Sequence, residues 1–142
     1  MLFVGAFERQ LDDKGRLALP AIFRDHLGDN CYLAKGHDKC VTVVPAAVFE
    51  AELTAMSARV DAGTVPLNQL RAIASSAKYA QLDKQGRVTV EDELRNYAEV
   101  SVGHPVIVTG RVDRLEIWAP ERHARVDGAG TGGLAGPDAA LE

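Results

Sequence analysis

Along the chain the apolar positions change period several times, and each change marks an element. Polar and apolar residues alternate from Arg16 to Leu19 and again from Arg87 to Val90. This predicts strands with Leu17, Leu19, Val88 and Val90 inward and Arg16, Ala18, Arg87 and Thr89 outward. Short apolar runs at Tyr32-Leu33-Ala34, Val41–Val44, Val106-Ile107-Val108 and Leu115–Trp118 predict further strands around Gly-containing turns. Short helices are expected over Ala21–Leu27, primed by Pro20, and over Glu91–Ala98, where Glu91, Asp92 and Glu93 sit near the positive end of the helix dipole. Helical spacing returns over Pro45–Val60 (Val48, Phe49, Leu53, Met56, Val60) and over Pro66–Ala80 (Leu67, Leu70, Ile73, Ala74, Ala77), with Asp61–Val65 as the turn between. These stripes read first as core and second as a subunit interface, since a small β domain has little room to bury both. Past Val126 the chain turns Gly/Ala-rich, which predicts a disordered tail.

The strongest pattern is a repeat. Residues 10–19 read Q-L-D-D-K-G-R-L-A-L and residues 81–90 read Q-L-D-K-Q-G-R-V-T-V, and Arg24 and Arg95 keep the same 71-residue offset. Gly36-His37-Asp38-Lys39 resembles Gly110–Arg114 with one insertion, and each copy runs on to a proline, Pro45 or Pro120. Each copy reads as strand, turn, strand, short helix, strand, turn, strand. The organisation that follows is a first half with its helix over 1–60, a helix with the second half over 61–126, and a tail over 127–142.

Charge alters the picture less than it first suggests. The 142 residues carry 16 Lys+Arg against 20 Asp+Glu, a net −4, which taken alone disfavours nucleic acid. Three of those charges belong to Asp127, Asp138 and Glu142 in a tail without cations, so residues 1–126 stand at −1. With 46% apolar residues the composition is that of a globular domain, and no apolar run approaches the ~18 residues of a membrane span. Met1-Leu2-Phe3-Val4-Gly5 lacks the basic flank of a secretory signal, so a cytoplasmic location is expected. Cys31 and Cys40 read as free thiols in a reducing compartment.

Catalytic and cofactor motifs find little support. Gly128-x-Gly130-x-x-Gly133 matches a dinucleotide fingerprint only formally, because too few residues follow it to build a βαβ unit. His26, Cys31, His37 and Cys40 lack zinc-ligand spacing and have no counterparts in the second copy. Ser57, Ser75, Ser76 and Ser101 lie in no nucleophile elbow. An Asp12/Asp13 acid–base pair dissolves in the second copy, where Lys84 replaces Asp13. No enzyme, cofactor, metal or small-molecule substrate is therefore expected.

The turns carry more chemistry. Asp12 and Arg16 bracket one, Asp83 and Arg87 the other, with Gly15 and Gly86 free to take positive φ and Lys14 and Lys84 beside them. Asp can serve simply as a turn-stabilising partner, worth about 0.2–1 kcal/mol when exposed. It can equally aim the guanidinium at phosphate or at the paired acceptors of guanine, and a two-stranded ribbon fits the major groove, so each turn is a candidate hairpin tip that reads DNA. Physical chemistry alone leaves the two readings level.

The two segments, together with Met1–Gly5, the central helices and Leu115-Glu116-Ile117-Trp118, resemble the twin Asp-x-x-x-Arg signatures of the MraZ family, relatives of the AbrB and MazE DNA-binding folds. The likeness covers roughly residues 1–125; Glu91 stands where the first copy has Pro20, and the tail lies outside it. The resemblance implies a mainly β, α+β fold: a pseudo-twofold small β barrel of two AbrB-like halves with two central helices. It also implies a ring-shaped homo-oligomer, nucleoid-associated, that binds repeated promoter boxes in double-stranded DNA and regulates the division and cell-wall gene cluster. Carried over by position, the DNA-binding residues are Asp12, Lys14, Gly15, Arg16, Asp83, Lys84, Gly86 and Arg87. The rival is an antitoxin-like protein-interaction module without direct DNA readout.

Overall fold

The two alternating segments find each other across the chain. A computed structural model describes residues 2–137. Strand β2 (Arg16–Ala18) pairs antiparallel with β6 (Arg87–Thr89), with Leu17 opposite Val88. Single backbone bonds lengthen this ribbon at both ends: Leu19 N–H to Gly86 O at 3.1 Å, and Val90 N–H to Gly15 O at 2.8 Å. Leu17, Leu19, Val88 and Val90 are at most 1% exposed, while Ala18 and Thr89 face out.

The remaining strands are β1 (Ala6–Gln10), β3 (Asn30–Lys35), β4 (Val41–Pro45), β5 (Lys78–Gln81), β7 (Pro105–Arg111) and β8 (Arg114–Trp118). They form one antiparallel sheet in the order β1-β7-β8-β4-β3-β5. Among the described residues, only β3–β4 and β7–β8 join strands of the same half; β1–β7, β3–β5, β4–β8 and the ribbon all cross between halves. One apolar cluster accordingly draws Leu11, Leu17, Phe23 and Leu33 from the first half and Val88, Leu94, Val108 and Ile117 from the second. Each such side chain contributes about 1.5–3 kcal/mol on burial.

Two expectations are corrected here. The sheet is not a closed barrel, because β1 and β5 are its edges and share no ladder. The chain leaves each edge strand through a tight turn, and β2 and β6 pair with one another. The inward side chains of the ribbon, Leu17, Leu19, Val88 and Val90, join the apolar cluster of the sheet. Nor are the Asp-x-x-x-Arg turns tips of hairpins: β1 pairs with β7 rather than β2, and β5 with β3 rather than β6.

Helix α1 (Ala21–Leu27) buries Phe23 and Leu27, and its counterpart α4 (Asp92–Ala98) buries Leu94 and Ala98, the i, i+4 spacing that faces one side of a helix. Helices α2 (Ala46–Asp61) and α3 (Leu67–Ser76) pack on each other and on β3. Phe49 stacks on Tyr32 at 4.6 Å between ring centroids, and Leu53, Ile73 and Ala77 close around them. The apolar stripes are covered only in part: Phe49 and Met56 are buried, Val48, Leu53, Val60, Leu70, Ile73 and Ala77 are half-buried, and Leu67 and Ala74 are exposed. Arg114, 7% exposed, fastens α2 to β8 through Glu52 and bonds Asp113 at 2.9 Å.

Helix α3 stops earlier than its pattern predicts. The Ser76 hydroxyl donates to Ala72 O at 2.7 Å, Ala77 leaves helical space, and Lys78–Gln81 instead pair as β5 against Asn30–Leu33. The tail expectation is corrected over 127–135, which belongs to α5 (Pro120–Ala135). Pro120 opens that helix, and Arg122, paired with Glu99 at 3.1 Å, anchors its first turn, so the glycines beyond only propagate a helix already nucleated. Residues 138–142 of the expected tail, with Asp138 and Glu142, lie outside the described residues. Cys31 and Cys40 are free and buried, and burial pushes the Cys31 thiol up to about 11. No described helix is long and apolar enough to cross a membrane.

Candidate functional site

Both turns are built from the same bonds. Asp12 Oδ1 accepts the backbone N–H of Lys14 at 3.0 Å and of Arg16 at 2.8 Å, and Oδ2 meets Arg16 Nε at 2.7 Å. Asp83 Oδ1 accepts the N–H of Gln85 at 2.9 Å and of Arg87 at 2.8 Å, and Oδ2 meets Arg87 Nε at 2.7 Å. Each loop closes further through Gly15 N–H to Asp12 O at 3.1 Å and Gly86 N–H to Asp83 O at 3.0 Å. Gly15 at φ +77° and Gly86 at φ +74° occupy the left-handed region that other residues adopt at a cost of about 1–2 kcal/mol. The arginine backbone N–H, then its guanidinium, hold the Asp12 and Asp83 carboxyls below the ordinary carboxylate value and therefore ionised at neutral pH.

The ribbon brings the two arginines onto one face. Arg16 stands opposite Thr89 and Arg87 opposite Ala18, so the two are diagonal neighbours on the outward side. Aspartate engages Nε of each guanidinium. Among the described residues the terminal Nη groups of Arg16 and Arg87 have no protein acceptor, and both side chains keep about a quarter to a third of their exposure. Lys14 and Lys84 are exposed on the turns and form no ion pair among the described residues. The geometry therefore yields two fixed, forked cations with two exposed lysines on the same turns. No cluster of three or more His, Cys, Asp or Glu capable of holding a metal occurs among the described residues.

Two arginines at the turns escaped the reading of the sequence as site residues. Arg24 on α1 donates Nε to Leu19 O at 3.0 Å and lies over Gly86; Arg95 on α4 donates to Val90 O and lies over Gly15. Their shared repeat offset was the only trace of this role, because each meets the turn of the other half.

The fold and these turns define a class: small α+β proteins with duplicated Asp-x-x-x-Arg turns set on a ribbon to which both halves contribute a strand. Residues 2–62 and 73–126 match the family model described as "MraZ protein, putative antitoxin-like". The chain is 40% identical over 126 residues to a "Transcriptional regulator MraZ" from Roseiflexus sp. (strain RS-1), covering 88% of this chain and 86% of the relative. Proteins of the same name from Nocardioides sp. (strain ATCC BAA-499 / JS614) and Mycolicibacterium gilvum (strain PYR-GCK) are 38% and 40% identical. The matches cover 86% and 82% of this chain, and 83% and 81% of those relatives. The chain belongs to the MraZ family.

Proposed function

We propose that the chain is a transcriptional regulator that reads double-stranded DNA in a sequence-specific way through its Asp-x-x-x-Arg turns. The carrying observation is the pair of arginines on one ribbon face, each held through Nε with its terminal amino groups free. A two-stranded ribbon fits the major groove, and a guanidinium presented end-on can donate to O6 and N7 of guanine. Ala18 and Thr89, the small outward neighbours, allow close approach and offer methyl groups to thymine. The name shared by the relatives supports the same reading.

In this proposal the halves are related by a pseudo-twofold axis. Exchanging β1 with β5, β2 with β6, β3 with β7 and β4 with β8 reverses the sheet order end for end and keeps every pairing, which supports that symmetry. The protein acts as a ring-shaped homo-oligomer on repeated promoter boxes of the division and cell-wall gene cluster, in the cytoplasm and associated with the nucleoid. Linked copies multiply affinity, which compensates for the few cations each chain brings.

The test is selection of duplexes from a randomised DNA pool by the full chain, followed by mobility shifts on the enriched duplex and mass by light scattering. Arg16→Ala and Arg87→Ala should each weaken binding roughly five- to 150-fold, the value of about 1–3 kcal/mol for one bidentate contact, with far-UV circular dichroism unchanged. Equal affinity in both variants overturns the assignment of these residues. Failure to enrich any duplex, with a protein partner held through high salt, would favour the interaction-module reading.

A further inference from the structure

We propose that Arg24 and Arg95 are positioning residues that set the turn of the opposite half: Arg95 sets Asp12–Arg16, and Arg24 sets Asp83–Arg87. This rests on the proposed reading of DNA by those turns. The geometry is a closed linkage. Arg95 hydrogen-bonds Val90 O, the N–H of Val90 bonds Gly15 O at 2.8 Å, and the Arg95 guanidinium covers Gly15 where a Cβ would collide with it. In the other half Arg24 bonds Leu19 O at 3.0 Å, Leu19 N–H bonds Gly86 O at 3.1 Å, and Arg24 covers Gly86 in the same manner. The glycine of each turn is thus held between a backbone donor and a guanidinium plane, both supplied by the other half.

The holding matters because glycine is the one residue in each turn without a steric preference of its own. Freed from its cover, Gly15 samples many conformations, and the Asp12–Arg16 pair that aims the free amino groups follows it. The bases from which the arginines reach are firm, since α1 is anchored by Phe23 and Leu27 and α4 by Leu94 and Ala98. A phosphate-binding role is the rival: Arg24 also lines a groove of about 360 Å³ with Asp83 and Lys84. The two roles differ in salt dependence. A phosphate contact contributes about 0.9 to the slope of log K against log[salt], whereas a residue acting through the turn contributes nothing to it.

The test uses the full chain with Arg95→Lys and Arg95→Ala, and the same pair at Arg24. Lysine keeps the charge but not the planar fork, and serves as the milder variant should alanine compromise folding. By amide hydrogen exchange, the Arg95 variants should open Lys14, Gly15 and Arg16 about tenfold faster while leaving Gln85, Gly86 and Arg87 unchanged; the Arg24 variants should do the reverse. On a duplex selected by the wild type, anisotropy at several salt concentrations should show about tenfold weaker binding with an unchanged salt slope. A slope lower by about 0.9 assigns the residue to phosphate and overturns positioning. So does exchange that is unaltered in both variants, or altered in the turn of the same half. The exchange readout needs no DNA, so the linkage stands or falls by it even where the DNA proposal fails.

Discussion

Each aspartate at the turns divides its labour between its two oxygens: Oδ1 takes two backbone N–H groups and Oδ2 takes the guanidinium. All three interactions favour the charged form, led by the backbone N–H of Arg16 or Arg87, and they outweigh the partial loss of solvent. A native pKa below the unfolded value of 3.8 means that the ionised turn stabilises the fold above that pH. That stabilisation is lost as pH falls through the native value. The variant Asp12→Asn/Asp83→Asn keeps the Oδ1 acceptors but loses the charge. It should melt below the wild type at pH 7, and the gap should close on acidification below about pH 4. Melting curves whose separation persists unchanged to pH 2 would remove the carboxylates as its source. This local chemistry was legible in the sequence because Asp and Arg lie four residues apart. The covers on Gly15 and Gly86 were not, because Arg95 and Arg24 arrive from some 60–80 residues away.

At the scale of elements, legibility follows the same division between local and distant causes. Helix α1 lies over Ala21–Leu27, directly after Pro20 as expected, and β3, β4, β7 and β8 contain the apolar runs that mark them. What periodicity could not supply is pairing: nothing in Arg16–Ala18 says that its partner lies at Arg87–Thr89, nor that Lys78–Gln81 is needed at the free edge of β3. Helix α5 is the sharpest departure, since Gly128, Gly130, Gly132 and Gly133 each cost about 1 kcal/mol relative to alanine in a helix. A Cβ on any of the four meets nothing within 4 Å, and none has positive φ. Gly130→Ala should therefore stabilise the distal helix by about 1 kcal/mol, slowing exchange of nearby amides about fivefold, without moving the main melting transition. Exchange that does not slow would mean that helix formation beyond Val126 does not limit those amides.

The whole molecule is an interlock. Among the described residues four of the six strand ladders run between the halves, and one cluster of side chains serves both, so the division near residue 60 is a unit of sequence that folding is predicted to ignore. Leu17 tests the interlock most directly. It belongs to the first half, is fully buried, and lies opposite Val88 of the second. Trp118, the single tryptophan, is 4% exposed at the far end of the second half and reports there by fluorescence. Leu17→Ala should cost about 2–5 kcal/mol. In urea, at a fixed protein concentration, the Trp118 signal and the helical circular dichroism should shift together to lower midpoints. A Trp118 transition that stays in place while the helical signal moves would show halves that unfold separately. In that case the crossing ladders would be contacts between two independent folding units rather than the framework of one.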